Sequence, residues 1–112
     1  MKTESEQRAT LTRMERARAE TERHLAIIER QIAGRAERIA MNAHVQTRRF
    51  GRATSRWNPA DERRYQETLA TLRFARRAEI EALARKLARQ AAAIAAFRLR
   101  QGINAATQEI AS

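Results

Sequence analysis

Apolar residues recur at intervals of three and four along the first half of the chain: Leu11, Met14, Leu25, Ile28, Ile32, Ala36, Ile39, Ala43 and Phe50. That rhythm predicts one long amphipathic helix, because residues three and four apart share a face. Arg18 and Thr21 stand where apolar residues are expected. Thr3 and Glu6 have the reciprocal capping-box spacing, which starts the helix at about residue 4. Gly51 is a plausible left-handed stop behind Arg48 and Arg49, so helix 1 spans about 4–50. Gly34 lies inside the pattern and reads as tolerated, at a cost of about 0.5–1 kcal/mol relative to Ala.

After a turn at 51–58, Asn58 is a ready N-cap, Pro59 fits the first helical position, and Asp61 and Glu62 face the unpaired amides. Helix 2 then carries Leu69, Leu72, Arg76, Ile80, Leu83, Leu87, Ala91, Ile94 and Arg98, a 3-4-4 spacing expected of a nearly straight helix pair. Gly102 reads as its stop, with Ile103 folding back on the last turn. This places helix 2 at about 59–101 and a short tail at 102–112, in which Asn104 to Ser112 either forms another helical turn or frays.

Two helices of about 70 and about 63 Å, joined by roughly seven residues, predict an all-α antiparallel two-helix hairpin of coiled-coil type in one domain, 1–112. In an antiparallel pair, facing residue numbers sum to a constant. Leu25 with Leu87, Ile28 with Leu83, Ile32 with Ile80, Ile39 with Leu72 and Ala43 with Leu69 give 111 or 112. At the open end helix 2 becomes apolar on more than one side, through Ala91, Ile94, Ala95 and Phe97. A single partner helix cannot cover that girth, so these residues are the expected oligomer interface of a dimeric four-helix bundle. The alternative is that Ala serves there as a surface helix former.

Composition narrows the class. Three Gly and one Pro in 112 residues cannot supply the turns of a small sheet protein, and 32% charged with 4% aromatic residues disfavours a thick core. Cysteine is absent, which excludes disulfides and thiolate metal sites. The first residues contain no apolar secretory core and no run reaches a membrane span, so a cytoplasmic location is expected.

The net charge of +10 points to polyanions, and 21 of the 23 basic residues are Arg. Between 48 and 64 lie Arg48, Arg49, Arg52, Arg56, Arg63 and Arg64, interleaved with Phe50 and Trp57 and followed by Tyr65. Arg forks match phosphate oxygens, and aromatic faces can stack on unpaired bases. The same residues are equally the usual anchors of a protein interface, or a plug for the loop end of a bundle. A second basic stretch, with Arg85, Lys86 and Arg89, has no acid between Ala82 and Gln108.

No catalytic constellation is visible. His24 and His44 lack metal-ligand spacing and no Gly-rich phosphate loop occurs, so no enzyme activity, metal or cofactor is expected. Two partner classes follow from the charge. The first is nucleic acid, bound by an accessory or regulatory factor. The second is an acidic protein surface, met by a coiled-coil adaptor or inhibitor of mobile-element, phage or secretion-system type. In architecture alone such a hairpin resembles small RNA-regulating four-helix proteins of plasmids and stalk proteins of bacterial secretion systems. Membrane association is not expected, since an Ala-rich face inserts weakly.

Overall fold

The computed structural model describes residues 3–49 and 56–111, with the side chains of 48, 49, 105, 107–109 and 111 outside that description. The described residues form three helices and no strand: α1 (Glu4–Arg49), α2 (Pro59–Ala75) and α3 (Arg77–Ala111). None of the helices is long and apolar enough to cross a membrane. α1 starts where the capping spacing puts it, with the Glu6 amide donating to Thr3 Oγ1 at 3.1 Å. The expected left-handed stop at Gly51 lies outside the described residues.

Two departures from the sequence pattern change the surfaces on offer. Helix 2 is interrupted at Arg76, whose φ of −107° and ψ of 13° leave the helical region and separate α2 from α3. At the other end α3 runs through Gly102 to Ala111 instead of stopping. A Cβ added to Gly102 would meet nothing within 4 Å, and its φ is not in the left-handed region. The expected tail is therefore helical, because the apolar spacing Leu99, Ile103, Ala106, Ile110 continues past the glycine. The sign of a substitution separates the two states. Gly102→Ala is expected to stabilise the chain by up to about 1 kcal/mol in urea unfolding, whereas a left-handed stop would lose about as much.

The chain divides into two compact units. One comprises Ala26–Glu81, and the other Met1–Leu25 with Ala82–Ser112. In the first, the core of α1 is Ile28, Ile32, Ala36, Ala40 and His44, all buried. These advance by four residues each time, so the covered face turns about 40° around the helix per step. The sequence seam instead stepped from Ala36 to Ile39 and Ala43. Ile39 is 40% exposed, and Ala40 and His44 take the interior places. Burial of Ile28 and Ile32 contributes roughly 2–3 kcal/mol each, and the two alanines let neighbouring backbone approach closely.

Polar contacts tie α1 to α2 and to the Arg76 break within this unit. Arg73 donates through Nε and Nη2 to Glu29 Oε2 at 3.1 and 2.8 Å. Arg76 Nη1 donates to Gln31 Oε1 at 3.0 Å. His44 meets Asp61. All three contacts fall earlier on the second half of the chain than pair sums of 111 or 112 would place them. The reach of Arg side chains accounts for the offset of the first two, and the third lies at the turn.

In the second unit Thr21 and Ile94 are buried. Thr21 disrupts the apolar seam without leaving it, because its hydroxyl donates to the Ala17 carbonyl at 3.2 Å. Arg98 is ion-paired with Glu15. Gly34, in the first unit, meets only Arg38 Nη1 at 3.4 Å when given a Cβ, which fits toleration rather than a helix pressed against it.

Candidate functional site

The first turn of α2 is built by a reciprocal capping box. The Asp61 amide donates to Asn58 Oδ1 at 3.0 Å, and the Asn58 amide donates to Asp61 Oδ2 at 2.9 Å. Asn58 is extended, and Pro59 follows it at the start of the helix. The box places Asp61 inward, where its side chain is 4% exposed. There the same Oδ2 lies 2.8 Å from His44 Nδ1, itself on the interior row of α1. An ionised carboxylate only accepts, so the tautomer that makes this bond is the one with its proton on Nδ1. Sequence reading assigned Asp61 to capping alone and gave His44 no role. The signal was present: continuing the row Ile28, Ile32, Ala36 by fours reaches His44.

Trp57 lies over this pair. Its ring centroid is 6.1 Å from that of His44, tilted by 39°. The indole N–H donates to Glu62 Oε2 at 3.1 Å, and Gln66 Nε2 donates to Glu62 Oε1 at 3.0 Å. These two donors, Gln66 first, hold the Glu62 carboxyl below the ordinary carboxylate value. Trp57 is thus anchored on one side and 42% exposed on the other. Its open side borders a groove of about 370 Å³ shared with Glu37, Met41, Glu62 and Tyr65. Two carboxylates there oppose a phosphate, so Trp57 is poorly placed to stack a base inside this groove.

The predicted basic residues separate into groups. Arg56 and Arg63 are exposed near the Trp57 turn, while Arg64 is half-buried with Nη1 3.8 Å from Asp61 Oδ1. Arg52 and the side chains of Arg48 and Arg49 lie outside the described residues. Arg85, Lys86 and Arg89 are exposed on α3, where spacings of three and four keep Arg89 beside the other two. Among the described residues, Arg56, Arg63, Arg85, Lys86 and Arg89 enter no ion pair.

One residue of the predicted oligomer face needs correction. Ile94 is 3% exposed within the single chain, because it fills the same seam as Leu87 and Ala91, and cannot present itself to another copy. Ala91 and Phe97 are half-buried and Ala95 is exposed. The large apolar side chains exposed on α3 are Leu99, Ile103 and Ile110, with 66, 57 and 87% exposure. Sequence reading missed this stripe because it ended the helix at Gly102. It also missed Phe74, 67% exposed, with the Arg77 guanidinium 4.0 Å above its ring.

No group of three or more potential metal ligands occurs among the described residues. Comparison with protein-family models, with curated proteins and with solved structures finds no match to this chain.

Proposed function

We propose that this protein is a non-enzymatic, cytoplasmic nucleic-acid-binding accessory or regulatory factor, built as an antiparallel helical hairpin that dimerises. The observation that carries the reading is uncompensated positive charge: a net +10, with Arg56, Arg63, Arg85, Lys86 and Arg89 exposed and outside every described ion pair. A helix surface that leaves Arg unpaired carries repulsion that a phosphate chain relieves by counterion release. The test is the affinity for a single-stranded oligonucleotide as a function of salt, which must fall steeply.

The hairpin draws support from contacts that join early residues to late ones in descending order. In one unit Gln31 meets Arg76 and His44 meets Asp61, and in the other Glu15 meets Arg98. Dimerisation draws support from the exposed stripe of Leu99, Ile103 and Ile110, whose spacing matches one face of a bundle helix. Leu99→Asp together with Ile110→Asp is expected to convert a dimer to a monomer in sedimentation equilibrium with helicity retained. An unchanged mass would remove this face from the assembly.

A second reading, an adaptor or inhibitor docking on an acidic protein surface, rests on a different observation. Exposed Met41, Val45 and Trp57 on the first unit offer apolar anchors beside Arg56 and Arg63. Trp57→Ala separates the readings: it should abolish capture of a protein partner and leave oligonucleotide affinity almost unchanged.

A further inference from the structure

We infer that the groove between α1 and the Arg76 break is a binding cradle for a phosphate group, a site distinct from the exposed basic residues near Trp57 and on α3. Its rim is formed by Arg35, Arg38 and Arg76, with Gln31, over a floor that includes Ile32 and Leu72, and its volume is about 270 Å³. The three guanidiniums come from two different parts of the chain. Arg35 and Arg38 are one turn apart on α1, and Arg76 sits where α2 gives way to α3.

Arg76 is held rather than loose. Its Nη1 donates to Gln31 Oε1 at 3.0 Å, and its Nε and Nη2 donate to Glu79 Oε2 at 3.1 and 3.0 Å. Glu79 neutralises Arg76, while Glu37, between Arg35 and Arg38 in the chain, borders the Trp57 groove. Arg35 and Arg38 therefore bring charge to the cradle that no described carboxylate balances. Two unbalanced cations on one helix face repel each other, and an anion seated between them reverses the sign of that term.

The number of forks selects phosphate over carboxylate. A carboxylate presents two oxygens in a plane and is satisfied by a single bidentate Arg, whereas a phosphate presents oxygens in several directions and can engage Arg35 and Arg38 together with the second hydrogens on Nη1 and Nη2 of Arg76, which its bonds to Gln31 and Glu79 do not use. An apolar floor limits hydration of the bound group and strengthens each charge-assisted hydrogen bond. Such a group belongs either to a strand backbone or to a free phosphate. The first source rests on the nucleic-acid reading; the second does not.

The experiment uses the full chain and Arg35→Gln with Arg38→Gln. Both positions are exposed on α1, and circular dichroism verifies that the variant folds. In one arm, inorganic phosphate is titrated at constant ionic strength and the thermal midpoint recorded; in the other, a single-stranded oligonucleotide is bound across a salt series. A phosphate-dependent rise in midpoint that the variant lacks supports the cradle, as does a salt slope lower by about 0.7 in the variant, the share of the one phosphate that the cradle seats. Loss in both arms assigns the group to a strand. Loss in the phosphate arm alone assigns it to a free phosphate, even where the oligonucleotide fails to bind and the nucleic-acid reading falls. Equal responses of wild type and variant in both arms overturn the cradle. Arg76→Lys, which retains the charge and removes the fork, should weaken binding in the arm that responds.

Discussion

Raising salt from about 50 to about 200 mM is expected to weaken binding of a single-stranded oligonucleotide about three hundredfold, for roughly six phosphate contacts at a slope of about 0.7 each. For a duplex the slope per contact is nearer 0.9, and the loss approaches about two thousandfold. Fluorescence anisotropy over a salt series measures both. The comparison also reports which form is bound, because each contact releases fewer counterions from a single strand than from a duplex. On the proposed reading, five exposed cations without described ion partners would supply most of those contacts, and Arg64, ion-paired with Asp61, would contribute less. Charge-reversal at Arg85 and Arg89 should lower the slope without altering helicity, since both side chains are exposed on α3. A response flat in salt removes nucleic acid as the partner.

Asp61→Ala is expected to destabilise the fold by about 3 kcal/mol, the largest effect expected of a polar substitution in this chain. One carboxylate oxygen accepts from both the Asn58 amide and His44 Nδ1, and the side chain is nearly sealed from water. Removing it costs about 1 kcal/mol of capping and about 2 kcal/mol for a buried hydrogen bond of carboxylate to imidazole. Urea unfolding followed by circular dichroism should show a lower midpoint with an unchanged slope. A double-mutant cycle with His44→Ala then isolates the pair from the cap. A destabilisation below about 1 kcal/mol would mean that the cap alone matters and that the buried pair contributes nothing net.

The legibility of these features follows the range of the forces behind them. The N-cap at Asn58, the position of Pro59 and the start of α1 at Thr3 were readable, because each depends on side chains within four residues of the amide they satisfy. The stop at Gly102 was read from the same local rules and failed. Gly is only permissive of a left-handed turn, and the apolar spacing continuing through Ile110 favoured more helix. Phosphate cradle, Trp57 groove and exposed apolar stripe all depend on which face of a helix is turned inward. A one-position error in the seam, Ile39 for Ala40, hid the interior row that leads to His44.

By itself the sequence determined that the chain is helical, where two of its helices begin, and that it carries a large excess of Arg. These follow from residue spacing, capping and charge, which need no knowledge of distant partners. Only the tertiary structure decided that His44 and Asp61 share an interior hydrogen bond, that Ile94 is covered, and that Arg35, Arg38 and Arg76 line one groove. The His44–Asp61 pair joins residues 17 positions apart. Periodicity tells which residues share a face of one helix, but rotation and register between helices are set by the sum of packing and polar contacts across them.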